Sequence, residues 1–283
     1  MQTLVTTDLC VEDIHFRRAW HSARSVGHRC LTRGLSDIAA MGGEPVACFL
    51  SLGLPENLAQ RWVDQFIDGL LRLAGRFRIP LAGGDIAGAP KITADIVVIG
   101  QAPAGKALLR SGARAGDRIY VTGTLGESAA TLRRLYSGEK LRVDVHNRHF
   151  FPEARIEVGR RLREKKIASA AMDLSDGLSV DLAHLCKESG VDAIVNAGAI
   201  PVAGGAGLEM ALHGGEDYEL LFTVRNGVRV PARIAGVPVS LIGEIVKASK
   251  DRKSKAGSRI RLCDHSGTLQ PLKPAGWEHF SKI

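Results

Sequence analysis

The residues of this chain that could do chemistry are carboxylates, and they recur in short turns where an apolar run ends. Asp8 closes "TTD", Ser36 and Asp37 sit in "LSDIAAMGG", and Asp85 closes "LAGGD"; Asp173, Ser175 and Asp176 fall in "MDLSDGL", and Glu216 and Asp217 in "HGGED". Taken singly, each has an ordinary explanation. Asp176 precedes Leu178, Leu182 and Leu185 at helical spacing and can cap that helix. Asp37 can be a polar residue on an exposed helix face, and 83–85 a plain Gly-Gly-Asp turn. Taken together, carboxylates from both halves of the chain could meet in one cleft, where like charges repel unless cations lie between them. No His or Cys cluster selects zinc or copper, so the implied ion is Mg2+, which shares its coordination between one or two carboxylates and substrate phosphates. Gly83 and Gly84 let backbone approach an anion, and Arg110 in "LLRSGA" offers a fixed positive charge. The class reached from these residues is a kinase or ATP-dependent ligase without a P-loop. The one P-loop-like string, "GQAPAGKA" at 100–107, has Ala107 where a Ser or Thr would bind magnesium, and glycines follow it instead of a long helix.

The elements that must position these residues alternate between β-rich runs and helical patterns. Strands are expected at 3–7, 46–54, 92–100 and 117–123, dense in β-branched residues and bounded by Gly, Pro or Asp. Leu58, Trp62, Phe66 and Leu70 at i+4 spacing predict a helix over 57–77. The second half predicts helices at 127–136, 153–166 and 178–188 and strands at 170–173, 192–196 and 218–224. The reading is α+β: two α/β domains, 1–104 and 105–283, the first with a mixed sheet and the second with a sheet flanked by helices.

Composition narrows the partners. The chain has 283 residues, 45% of them hydrophobic, and a net charge of +8, which suits an anionic partner. Its basic runs, 160–166 and 247–261, read as solvated surface, and with aromatics at 5% and not interleaved among them, no nucleic acid partner is expected. No apolar run reaches about 18 residues, so no membrane partner is expected either. The opening "MQTLVTTD" has neither the basic start nor the apolar run of a secretory signal, and the five cysteines lack CxxC spacing, so the expectation is a cytoplasmic protein with reduced thiols.

"TTDLCVEDIHF", "LSDIAAMGG", "GGDIAG", "LLRSGARAGDRIYVTG", "AMDLSDGLSVDLAHL", "GGEDYELLF" and "GWEHF" stand in the order and approximate spacing found in the thiamine-monophosphate kinases. The chain resembles that family, part of the superfamily that includes aminoimidazole ribonucleotide synthetase and selenophosphate synthetase. The resemblance implies ATP-dependent phosphorylation of thiamine monophosphate to thiamine diphosphate, in a homodimer whose N-terminal domains share a sheet. It implies magnesium ligands at Asp8, Asp37, Asp85, Asp173 and Asp176, with Thr6 or Thr7. It implies nucleotide contacts at Gly84, Asp85, Arg110 and Ser175, and substrate contacts at His15, Glu216 and Trp277. Asp85, Asp173 and Arg110 carry the catalytic expectation. The acceptor phosphate is already ionised, so no base is needed; the cations and Arg110 would offset the repulsion of anion by anion. Trp277 could cover the cationic thiazolium, a contact of about 0.5–2 kcal/mol.

Three departures from the family pattern stand out. A "GDDAA"-like segment that relatives carry is expected before residue 1, so either the start falls late or part of the metal site is lacking. Ile86 replaces a Thr after "GGD". Arg33-Gly34 precede "LSD" where an apolar residue and Asn are usual, and Gly34 should cost a helix about 1 kcal/mol relative to Ala. The alternatives are another enzyme of the same ATP-binding superfamily, or a catalytically impaired homologue that binds nucleotide or thiamine phosphate.

Overall fold

The structure, a computed structural model, describes residues 1–143, 147–249 and 259–276. In its first half the elements are β1 (Gln2–Val11), α1 (Ala23–Ala40), β2 (Glu44–Leu54), α2 (Gln60–Phe77), β3 (Leu81–Gly88) and β4 (Thr93–Ala102). The second half runs β5 (Arg118–Thr122), α3 (Glu127–Tyr136), α4 (Asn147–Phe150), α5 (Ile156–Glu164), β6 (Ala170–Asp173), α6 (Leu178–Ser189), β7 (Asp192–Asn196), α7 (Leu208–His213) and β8 (Leu220–Val224). It closes with β9 (Arg233–Ile234), β10 (Val237–Val246), β11 (Ile260–Cys263) and β12 (Leu269–Leu272).

The first sheet has the order β1-β4-β2-β3 and is mixed, since β2 and β3 run parallel and the other pairs antiparallel. Side chains alternate across it. In β1, Leu4, Thr6, Asp8 and Cys10 turn inward while Val5, Thr7 and Leu9 face out. The second sheet, β12-β11-β7-β10-β5-β8-β6, is antiparallel except where β7 meets β11. Its interior strand β8 is buried along its whole length, because Leu220, Phe222 and Val224 pack toward the first half and Leu221 packs toward α6. One apolar core therefore runs from α1 and α2 through α5 to one face of the second sheet, and a second core lies under α6. The expected α+β class, with a mixed first sheet and a helix-flanked second one, describes this architecture.

Helix α1 is the element that joins the halves. Ser22 caps it by accepting from the Ser25 N–H, and it packs on β1, β4, α2, α5 and β6. All of its residues are buried except Arg24, Arg33 and Asp37. Gly34 is what the contact with β4 requires: a Cβ there would stand 2.6 Å from the Val98 side chain. The helix-propensity cost expected at this position is the cost of that approach.

Two expectations change. Residues 83–85 do not form a turn but extend through the edge strand β3, in register with β2. Arg163, in a run read as solvated, is buried, and its Nε donates to the Gly42 carbonyl at 2.6 Å, fastening α5 to the end of α1. Of the other basic run, 250–258 lie outside the described residues.

Candidate active site

A cavity of about 580 Å³ opens between the halves. Strand β1 contributes Asp8 and the turn after it His15; α1 contributes Arg33 and Asp37; the second half contributes Asp173, Ser175, Asp176 and Glu216. Thr6 and Asp8, two apart on β1, share its inner face, and Thr6 Oγ1 donates to Asp37 Oδ2. Ser36 Oγ, fully buried, donates to Asp173 Oδ2 at 2.7 Å. His15 Nδ1 accepts from the Val11 N–H at 3.0 Å, which orients its ring toward the cavity wall.

The two acidic turns of the second half are zipped together. Glu216 N donates to Ser175 O at 2.8 Å, Tyr218 N to Leu174 O at 2.9 Å, and Leu174 N to Glu219 O at 2.8 Å. Gly177 has φ +110°, and a Cβ on it would stand 2.9 Å from the His213 carbonyl carbon and oxygen, so only glycine permits this packing. Gly177 is the N-cap of α6 and no side chain caps it, contrary to the capping role open to Asp176. Asp181, one turn into α6, does that work instead. Its Oδ2 accepts from the N–H groups of Ser175, Asp176 and Gly177, each at 3.1 Å. Glu216 and Tyr218 both sit at positive φ, +64° and +50°, a local strain that the surrounding hydrogen bonds hold in place.

Charge is unevenly distributed in the cavity. Burial pushes the Asp8 carboxyl up to about 6, with Arg33 opposing and Asp37 adding to the shift. Asp173 is pushed up to about 7 by burial and by the charge of Asp37, and Asp37 is itself raised by burial. Glu216 goes the other way: against its burial, Arg29 and Arg33 hold it down at about 2. Three oxygen-donor carboxylates that resist ionisation beside one another are the donor set a hard divalent cation relieves, so Asp8, Asp37 and Asp173 fit magnesium. Among the described residues, no three His, Cys, Asp or Glu side chains are already drawn around a single point, so other ligand oxygens would have to complete the coordination.

The cavity gathers Asp8, His15, Asp37, Asp173, Ser175, Asp176 and Glu216 of the expected set. It does not gather the rest. Thr7 faces out from β1. Gly84 and Asp85 lie on exposed β3, three strands from β1, and Asp85 Oδ1 accepts from the Ile86 N–H at 2.9 Å. Asp85 and Asp173 thus share no cavity within one chain. Arg110 is exposed and outside the lining, although its charge reaches Asp37. Trp277 lies outside the described residues; Ala275 and Gly276, just before it, line the cavity.

Both halves match families known from other proteins. Residues 1–102 match the AIR synthase related protein N-terminal domain, and 114–253 the corresponding C-terminal domain. The thiamine-monophosphate kinase of Salmonella typhimurium (strain LT2) is 42% identical over 264 residues, 86% of this chain and 79% of its own length. That of Bacillus subtilis (strain 168) is 33% identical over 297 residues, 99% of this chain and 89% of its own. The chain belongs to the thiamine-monophosphate kinase family. Among solved structures, "AaThiL complexed with AMPPCP and TMP" superposes with a TM-score of 0.85 at 31% identity, over 98% of this chain and 87% of that one. The thiamine-monophosphate kinase from Stenotrophomonas maltophilia K279a gives 0.81 at 36%, over 88% and 84%. The hydrogenase maturation protein HypE, at 17% identity and a TM-score of 0.78, shares the fold.

Against this thiamine-monophosphate kinase background, several cavity residues went unread in the sequence. Trp20 and Tyr136 meet edge to face at 4.8 Å between ring centroids, with the Arg17 guanidinium over both. His21 and His149 touch through their Nε2 atoms at 3.2 Å, and burial with the charge of Arg29 pushes His21 down to about 4. Arg29 is engaged on both terminal nitrogens, its Nη2 donating to Glu216 Oε2 at 2.7 Å and its Nη1 to the His149 carbonyl. The usable signal was the i, i+4, i+8 run of Arg29, Arg33 and Asp37, which places them on one helical face.

Proposed function

We propose that this chain transfers the γ-phosphoryl group of ATP to thiamine monophosphate, giving thiamine diphosphate and ADP by direct in-line displacement. The observation that carries the reading is the meeting of Asp8, Asp37 and Asp173 from the two halves in one cavity, in a chain 42% identical to a thiamine-monophosphate kinase. An oxygen of the acceptor phosphate attacks the γ-phosphorus as the bond to the β-phosphate oxygen breaks. That oxygen is ionised at neutral pH, so no side chain need take a proton. Magnesium held by Asp8, Asp37 and Asp173, with Asp176 and Thr6 at its margin, would supply charge neutralisation between the two phosphorylated substrates.

The chain's own residues do the positioning. Ser36 and Thr6 fix the carboxylates of Asp173 and Asp37 by hydrogen bonds, and Asp181 fixes the turn that presents Ser175 to the nucleotide. Glu216, held ionised by Arg29 and Arg33, and His15 face the part of the cavity assigned to the thiamine end; Trp277 is assigned to the same substrate from the family resemblance alone. We place residues 1–104 in the ATP- and magnesium-binding domain, and 105–283 in the domain that completes the site. Gly84, Asp85 and Arg110 are assigned to the nucleotide in a cytoplasmic homodimer. Support for the dimer is the outer face of the first sheet, where Val5 is 61% and Leu9 53% exposed.

The deciding experiment is incubation of purified protein with ATP, Mg2+ and thiamine monophosphate, followed by chromatography of the thiamine esters. Thiamine diphosphate should form with one equivalent of ADP. Tight binding of both ligands without product would point instead to a catalytically impaired homologue.

A further inference from the structure

We propose that Arg33 is the residue that binds the phosphate of the acceptor, a phosphate monoester dianion. The identity of that monoester rests on the functional reading above; the anion site rests on the structure. Arg29 and Arg33 stand one turn apart on α1, both beside Glu216, yet their bonding differs. Arg29 spends its donors at hydrogen-bond distance on Glu216 and on the His149 carbonyl, and its side chain is 4% exposed. Arg33 makes only long ion pairs. Its Nε is 3.6 Å from Asp8 Oδ1 and its Nη1 is 3.6 Å from Glu216 Oε1, beyond the range of a guanidinium hydrogen bond.

Among the described residues, Arg33 Nε is the buried side-chain nitrogen or oxygen left without a hydrogen-bond partner. A guanidinium carries five donors and stays charged, so an enclosed one with donors unfilled is a costly arrangement unless a ligand fills them. Arg33 lines the cavity together with His15 and Asp37, and 17% of its side chain remains exposed. Its planar fork matches two oxygens of one phosphate, a pairing that a point charge cannot reproduce. Glu216 does not need Arg33 as its partner, because Arg29 already bonds it. The charge of Arg33 is therefore available to an anion entering between Asp8 and Glu216.

The test is titration calorimetry with magnesium present and nucleotide absent, using thiamine monophosphate and thiamine as probes on wild type, Arg33→Met and Arg33→Lys. Arg33→Met should lose at least tenfold in affinity for thiamine monophosphate and stay within twofold for thiamine; Arg33→Lys should fall between. In steady state the KM for thiamine monophosphate should rise by a similar factor, while the KM for ATP holds. Equal weakening of both probes, unchanged binding of thiamine monophosphate, or a wild type that does not distinguish the two would overturn the inference. Should Arg33→Met not fold, Arg33→Lys decides alone: a loss of threefold or more confined to the phosphorylated probe supports the fork, and none overturns it. Phosphate-selective, Arg33-dependent binding in a wild type that makes no thiamine diphosphate would sink the functional reading and leave this inference standing. Thiamine diphosphate formation by Arg33→Met with an unchanged KM for thiamine monophosphate would do the reverse.

Discussion

Ser36 on α1 donates to Asp173 at the end of β6 at 2.7 Å, so a helix of the first half holds a carboxylate of the second. Both residues are buried, at 0% and 4% exposure, and no water can replace the hydroxyl without rearrangement. Ser36→Ala should cost about 1–3 kcal/mol of stability, the range for an unsatisfied buried polar group. Because the hydroxyl lowers a carboxyl that burial and Asp37 raise, its removal should move the acid limb of the pH–rate profile to higher pH. Urea unfolding and a pH profile check both; a profile unmoved in Ser36→Ala would show that Asp173 does not govern it.

Magnesium should stabilise the protein more at pH 7.5 than at pH 5.0. Asp8, pushed up to about 6, and Asp173, pushed up to about 7, keep protons in the folded state where the unfolded chain, at 3.8, has lost them. Their ionisation therefore removes stability as pH rises from about 4 to 7, and a cation that binds the ionised forms restores it. Glu216, held at about 2 against 4.5 in the unfolded chain, contributes stability that grows as pH rises through 4.5 and is constant above it, and this cancels between magnesium and EDTA at one pH. His21, pushed down to about 4, has the opposite slope from the carboxyls between 4 and 6.5, but its contribution cancels when melting with magnesium is compared with melting in EDTA at the same pH. The magnesium increment in Tm should be larger by at least about 3 °C at pH 7.5, a difference of roughly 1 kcal/mol for a chain of this size. An increment independent of pH would remove Asp8 and Asp173 from the ion's ligands.

Asp181 separates shape from charge in the 173–177 turn. Burial, with Asp173 and Asp176 nearby, pushes its carboxyl up to about 8, so at neutral pH a neutral isostere can take its place. Asp181→Asn should keep stability within about 1 kcal/mol, because its carbonyl still accepts from the three backbone N–H groups. Asp181→Ala orphans all three and should cost about 1–3 kcal/mol or more. Hydrogen exchange at 175–177 is the direct readout: fast exchange in the Ala variant only is expected, and equal exchange in both would mean the turn is held by its zipper to 213–219 alone.

How much of this was legible before the fold was known depends on what each element packs against. Helix α3 and strands β6 and β7 match their expected bounds: α3 and β7 each show a buried and an open face, while β6, buried throughout, is a short apolar run closed by Asp173. Helix α1 did not announce itself, because it is enclosed by a sheet, two helices and a strand; with no solvent face there is no apolar stripe, and it carries Arg29, Arg33 and Ser36 inward toward the cavity. Strand β3 read as a turn because its glycines and Asp85 carry no strand propensity; its pairing with β2 decides its conformation. Seven of the expected site residues share one cavity, but not all from turns: Asp8 comes from within β1 and Asp37 from α1, His15 from the turn after β1, Asp173 from the end of β6, and Ser175, Asp176 and Glu216 from the turns after β6 and α7. Thr7 could not be told from Thr6 by composition, since only the register of β1 decides which faces inward.

That register also frames the last prediction. Leu9, Asp95, Ser51 and Asp85 are successive partners across the four strands, so Asp85 shares the outer face on which Val5 and Leu9 are exposed and Phe49, Val97 and Ile99 are half-buried. Stable protein interfaces cover about 800 Å² per partner, and an apolar sheet face of this kind is the surface through which a second copy would supply it. Since Asp85 does not reach the cavity of its own chain, its assignment to the nucleotide requires that second copy. Leu9→Asp places a charge on the edge strand of that face without touching either core, so the variant should fold and run as a monomer by light scattering. If the dimer supplies Asp85, Leu9→Asp and Asp85→Asn should each lose at least tenfold in kcat/KM, and the double variant should lose no more than the worse single one. A fully active Leu9→Asp monomer would place Asp85 outside the chemistry altogether.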